Sequence, residues 1–282
     1  MVDLLPQWLR DVLGQDVLFW LGYLTNGKHL SWYASVQYTL AAGLLGGIVA
    51  LTLGVFAAAA RNSRFRPLRI VGQAYTSVVP GIPDVLFFLF FPLAFEQALE
   101  WFRSMAVCSA EELAIGAGRW PPCQAANLLL GTTEYLILAG VSLGIVYGAF
   151  AGNVISGAMN AVPRGQLEAA RAFGMTPRQV LFRIHIRQMW AYALPGLSNV
   201  WMLLFKATAL LSLLQIADIV LWADRLGAPN FTRSAGLVHP DWRWGYYLVL
   251  VIFYIAVTFL SEKVFAAAQR WAGRGMAVAG NT

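Results

Sequence analysis

Five apolar runs constrain this chain more than any other feature. They lie at about residues 33–60, 70–95, 134–159, 190–221 and 244–265, with polar stretches between them. A helix of ~20 apolar residues crosses the ~30 Å hydrocarbon layer of a bilayer. There it must satisfy its own backbone hydrogen bonds, because lipid offers no partners. Hydrophobic residues make up 59% of the chain and charged residues only 12%, about half the ~25% charged content of soluble domains. The mean hydropathy is +0.60. The expected fold class is therefore an all-α integral membrane protein with five transmembrane helices over residues 33–270. An N-terminal segment, 1–32, and a tail, 271–282, flank it. The first residues lack a basic stretch and an A-x-A cleavage site, so no cleaved signal peptide is expected.

Charge orients the bundle. An odd number of spans puts the termini on opposite sides, and basic residues favour the cytoplasmic loops. The loops after the first and third runs, with the C-terminal end, carry twelve basic residues against only Glu168 and Glu262. The other side carries seven: Arg10, Lys28, Arg103, Arg119, Arg225, Arg233 and Arg243, among most of the acids. The N-terminus is expected outside and the C-terminus in the cytoplasm. The net charge of +6 thus reports membrane topology, and no basic stripe with interleaved aromatics points to nucleic acid.

In order along the chain, Leu4, Leu5, Trp8, Leu9, Val12 and Leu13 recur at helical spacing among charged residues. They predict an amphipathic helix, lying in the membrane interface or packed against the bundle. Gly22–Lys28 contains G-x4-G-K, but His29 stands where a phosphate-binding loop needs Ser or Thr, and no strand precedes it. The first run is rich in Gly and Ala, which lets helices approach closely in lipid. The second is interrupted by Pro80, Gly81 and Pro83, followed by Asp84. Its break is either a simple kink or part of a gate, since irregular backbone at membrane depth needs a protein-buried or cavity-lining place. Residues 96–131 form a polar excursion with both cysteines, Cys108 and Cys123. On the outer side a disulfide between them is reasonable. A second break is expected near Pro195-Gly196. Trp242, Trp244 and Trp271 are placed as interface anchors.

No constellation for catalysis or metal binding appears. His29, His185 and His239 are far apart, and no paired carboxylates lie within a span. The polar residues inside the runs are Asp84, Asn153, Lys206 and Thr208. Such residues are costly in lipid and face a partner, a cavity or a pathway. A satisfied helix–helix contact explains each of them equally well, and Lys206 is also long enough to snorkel.

The longest cytoplasmic interruption is PRGQLEAARAFGMTPRQVLFRIHIRQMWAYALP, from Pro163 to Pro195. Pro163 starts a helix and Gly174 ends it. Thr176-Pro177 then starts another. A nine-residue helix is too short to persist alone, so it must pack on something. By itself this describes an ordinary solvated loop or a docking helix.

Glu168-Ala169-Ala170, Gly174 and Ile184 resemble the EAA loop of ABC importer permeases, whose pattern is E-A-A-x3-G-x9-I-x-L-P. AVPRGQ upstream, with LPGLSN and KATALLSLL downstream, is similar to the polar amino-acid permeases, in particular the histidine/basic-amino-acid branch. The resemblance covers roughly residues 35–270. It implies a bacterial inner-membrane subunit that moves a polar amino acid inward from the periplasm. An opine or other amino-acid derivative fits the same features. It further implies a second permease subunit (a paralogue rather than a second copy), two ATPase subunits that bind the ATP and magnesium, and a periplasmic solute-binding protein. This chain itself is expected to hold no cofactor. Gly165, Glu168, Ala169, Ala170, Arg171 and Gly174 would form the contact with the ATPase, the Ala169-Ala170 face offering almost no side chain in the way. Asp84, Asn153, Lys206 and Thr208 would lie along the pathway.

The family's usual charges are missing at Pro80, Asn153 and Ser156, and Arg187 replaces its proline. These departures put substrate contacts in this subunit in doubt. An ATP-independent carrier is the alternative from another class; the odd number of spans and the lack of an inverted repeat speak against it.

Overall fold

The computed structural model describes residues 7–116, 118–232 and 237–274, with side-chain surroundings described from residue 15 onward. These residues are almost entirely helical. In chain order the helices are α1 (Gln7–Leu24), α2 (Gly27–Arg61), α3 (Arg66–Val78), α4 (Asp84–Val107), α5 (Ala110–Ile115), α6 (Thr132–Ala161), α7 (Arg164–Ala172), α8 (Pro177–Gln179), α9 (Ile186–Ala207), α10 (Ile219–Gly227) and α11 (Arg243–Ala272). Five stretches are long and apolar enough to span: Gly27–Arg61, Asp84–Val107, Thr132–Ala161, Pro177–Leu214 and Arg243–Ala272.

Several boundaries differ from the sequence expectation. The run at 70–95 is two elements: α3, then a 3-10 turn Val79–Gly81, then α4. Pro80, Gly81 and Pro83 mark the seam, and Pro83 caps α4. α4 continues to Val107 through what looked like polar excursion. Glu100 is buried there, accepting from Trp120 Nε1 at 2.7 Å and from the Leu128 amide at 3.0 Å. A carboxylate with two donors is tolerated where a bare one is not. The fourth span starts at Pro177 rather than 190 and ends at Leu214 rather than 221. It runs unbroken through Pro195. The first fourteen side chains, and residues 275–282 of the expected tail, lie outside what is described.

The chain divides into two compact units. One comprises Met1–Ala41 and Leu211–Ile255; the other comprises Ala42–Leu210 and Ala256–Thr282. In the first, Trp32, Ile219, Ala223, Leu226 and Leu250 form a buried cluster, and Trp32 Nε1 donates to the Ile219 carbonyl at 3.0 Å. In the second, α6 is the axis, packing against α3, α4 and α9. It also meets α2 through small residues, as the Gly/Ala content predicted. A Cβ on Gly144 would lie 2.4 Å from Val49, and one on Gly54 would lie 2.7 Å from Ala151. Such backbone proximity maximises dispersion contact where lipid removes the hydrophobic drive. Cys108 and Cys123 are disulfide-bonded, closing the loop that carries α5.

Candidate functional site

Three places in the second unit bear on the residues singled out in the sequence. The first is the seam after α3. Asp84, in the opening turn of α4, accepts from the Tyr147 hydroxyl of α6 at 2.8 Å. The pair packs close to Phe88, Ser142 and Leu210, with no space for a water between them. The 3-10 turn ends at Ile82 and Pro83 caps α4, which begins at Asp84, so the break sets the carboxylate against α6. A carboxylate facing a phenol satisfies one lone pair of several, which suits a residue kept polar at a joint.

The second place joins α2, α3 and α6. Arg61 Nη1 donates to Thr76 Oγ1 at 3.1 Å and also to Asn153 Oδ1. Asn153 Nδ2 donates to the Thr76 carbonyl at 2.8 Å. Thr76 Oγ1 in turn donates to the Gly72 carbonyl at 2.9 Å. Sequence reasoning counted Arg61 as a loop cation and missed this role. The signal was only that Arg61 heads RNSRFRPLR, one residue beyond the apolar run. Asn153 offers a neutral acceptor to a guanidinium. Lys206 and Thr208 join neither group. Lys206 is exposed near the end of α9 and meets no carboxylate among the described residues, while Thr208 is fully buried and donates to the Phe205 carbonyl at 2.7 Å. α9 passes there into a 3-10 stretch, Thr208–Leu214.

The third place is the polar interruption. α7 is the nine-residue helix the sequence predicts, with Pro163 as its N-cap. Gly174 takes φ +81°, and the Gly174 and Met175 amides donate to the Arg171 and Ala170 carbonyls at 2.9 and 3.1 Å. This satisfies the end of the helix in the left-handed conformation that glycine adopts without cost. Thr176 and Gln179 close a reciprocal capping box that starts the next helix,. It proceeds through a π-helical turn, Val180–His185, where His185 Nε2 donates to the Met159 carbonyl at 2.9 Å. Gln188 donates to Gln166, tying α7 to α9.

One expectation for α7 changes. Ala169 and Ala170 do not share an outward face: Ala170 is buried, facing its own chain, while Gly165, Glu168, Ala169, Arg171 and Gly174 are exposed. Ala170 lies on the side of α7 that packs, and Ala169, 100° round the helix, lies off it,. Phe173, not singled out in the sequence, is 88% exposed at the C-cap.

Comparison with known proteins assigns the chain to a family. Residues 50–274 match the family described as binding-protein-dependent transport system inner membrane component. The chain belongs to this family. It is similar to the nopaline transport system permease NocQ of Agrobacterium fabrum, 30% identical over 80% of this chain and 84% of that one. The octopine transport system permease OccQ of Rhizobium radiobacter is 29% identical over 91% and 96%. The arginine ABC transporter permease ArtQ of Escherichia coli K12 is 29% identical over 77% and 84%. The fold resembles the solved amino acid ABC transporter with histidines, at TM-score 0.62 and 20% identity over 91% of this chain and 99% of that one. The protein is thus a permease subunit of the ABC-importer kind, an inner-membrane component whose ATP hydrolysis belongs to a separate subunit.

Proposed function

We propose that this permease forms one half of the membrane channel of an importer for a polar amino acid, with α7 as the helix that couples it to an ATPase subunit. The observation that carries the coupling role is Phe173. A phenylalanine left in water forgoes about 1.5–3 kcal/mol of burial, and here it stands beside Gly174, at the end of a short helix tied down by Gln166 and Ala170. A rigid stub with one aromatic knob and a low Gly165–Ala169 face suits insertion into a partner's cleft. The arginine-rich loops, α7 included, lie in the cytoplasm, and the N-terminus and the disulfide loop lie in the periplasm.

On this reading a binding protein delivers solute at the periplasmic face. Two ATPase subunits close on ATP and pull the α7 helices of two permease subunits, and the spans rock to open outward. The seam at Pro80–Pro83 and Asp84–Tyr147 belongs to the moving gate. The relatives named for arginine and nopaline support a basic amino acid or an opine built from one as cargo. Asn153 meets Arg61 within this chain, so recognition of cargo falls largely to a paralogous second subunit.

The test is co-purification from native membranes. Gly174→Val forces a β-branched residue to φ +81°, a genuine outlier for such a side chain. It should insert normally but recover several-fold less ATPase subunit and lose transport. Phe173→Ala should do the same without touching the backbone. Full recovery of ATPase by both variants would remove α7 from the coupling role.

A further inference from the structure

We propose that the cavity between the start of α9 and the end of α11 binds the headgroup of an anionic phospholipid. It encloses about 660 Å³ and is lined by Arg187, Trp190 and Leu194 on one side and by Ala268, Trp271 and Arg274 on the other. That is within the ~300–1,000 Å³ range of small-molecule sites. Arg187 is the residue that stands where the motif it resembles ends in proline, and no contact among the described residues explains the exchange.

Three observations converge on a lipid. First, the site has charge without a counter-charge. Neither guanidinium meets a carboxylate among the described residues. Second, the depth fits. From Trp244 to Ala272, α11 rises ~42 Å at 1.5 Å per residue. That is the thickness of a bilayer with both headgroup layers, so the cavity sits at the headgroup level. Third, the lining is amphipathic. Trp190 and Trp271 are of the type that settles at that level, and Trp271 is 73% exposed. The small Ala268 and Ala272 leave room between the helices for the glycerol backbone. A guanidinium pairs with phosphate through two parallel hydrogen bonds, and two of them flank one opening here. Exposed Phe259 and Leu260 lie further along α11 toward the bilayer, where acyl chains would run.

The experiment uses the intact transporter with its ATPase subunits, in phosphatidylcholine nanodiscs doped with photoactivatable phosphatidylglycerol or, separately, photoactivatable phosphatidylcholine. Crosslinks are mapped by mass spectrometry. Phosphatidylglycerol should label peptides around 187–194 and 268–274 in preference to phosphatidylcholine. Labelling should fall about fivefold for each arginine lost in Arg187→Ala and Arg274→Ala. The double lysine variant, Arg187→Lys with Arg274→Lys, should keep most of it, which separates charge from misfolding. Arg64→Ala with Arg66→Ala, an equal loss of charge on another loop, should leave it unchanged. Equal labelling by both lipids, an equal drop in the control pair, or displacement by soluble glycerophosphate would each overturn the proposal. Crosslinks to an ATPase subunit in place of lipid would overturn it too. None of these outcomes depends on which amino acid is carried.

Discussion

Two helices of the same length divide the physics of this subunit between them. α6 and α11 each span 30 residues and each is apolar enough to cross a bilayer, yet 61% of the apolar stretch of α6 is buried in the protein and only 6% of that of α11. The difference is side-chain size. α6 presents Gly140, Gly144, Gly148 and Gly152 four residues apart, a groove into which α2 and its neighbours fit. α11 presents Tyr247, Leu248, Val251, Ile252, Ile255 and Phe259 to the outside. Apolar content decides whether a helix enters the membrane. It is the distribution of small residues that decides whether the helix then meets protein or lipid.

The sharpest way to break that contrast is to exchange the two surfaces. Gly144→Leu would push side-chain carbons into Val49 from 2.4 Å. Overpacking of this kind costs ~1–3 kcal/mol and occasionally more, and the rigid α2 backbone leaves the upper end as the expected value. Gly245→Leu on α11 meets nothing within 4 Å and should change stability by less than ~0.5 kcal/mol. Thermal unfolding of the two variants in the same detergent measures the difference, and similar midpoints would erase the distinction drawn here.

A smaller effect tests the one residue of α11 that is buried. Leu250 is its only buried residue, packed in the cluster with Ile219, Ala223 and Leu226 of α10. Leu250→Ala should cost about 2 kcal/mol, the low end for a buried leucine because detergent or lipid can relax into part of the space. Ile252→Ala, two residues on and 59% exposed, should cost almost nothing. Chemical denaturation curves in mixed micelles would separate them, and equal losses would mean that α11 is held by more than Leu250.

What the sequence could tell follows the same division. Signals confined to a few residues were legible: Pro163 and Gly174 bound α7, Thr176 starts the next helix, and Pro80–Pro83 break the second run. Signals that need a distant partner were not. Arg61 finds Asn153 from 92 positions away, and nothing local distinguishes it from Arg64. Pro195 looked like a break, but the adjoining Gly196 lies against Val154 of α6, where a Cβ would come within 2.6 Å. The packing holds α9 helical through the proline. Ala169 and Ala170 are chemically identical, and only the side of α7 that meets the protein separates them. Glu100 read as surface because its two donors come from far along the chain, Trp120 from within the disulfide loop and Leu128 from beyond it.

The smallest predicted effect concerns the helix that covers Leu250. Asp218 lies between the fourth span and α10, fully buried, and its Oδ1 caps α10 by accepting from the Leu221 amide at 2.9 Å. Its Oδ2 has no hydrogen-bond partner among the described residues. Burial pushes the carboxyl up to about 6 from an ordinary value of 3.8, against the opposing pull of the backbone amides. The folded state therefore holds this proton more tightly than the unfolded chain does. The stabilisation is full below the unfolded value and is lost as pH rises through the folded one. Between pH 7 and pH 5 the subunit should gain about 1 kcal/mol from this group. Asp218→Asn keeps an oxygen for the Leu221 amide and removes the titration. Its stability should be flat over that interval apart from whatever slope other groups add to both proteins. If wild type and variant have parallel pH profiles, the carboxyl is solvated in the assembled protein, and α10 covers α11 less tightly than the burial of Leu250 implies.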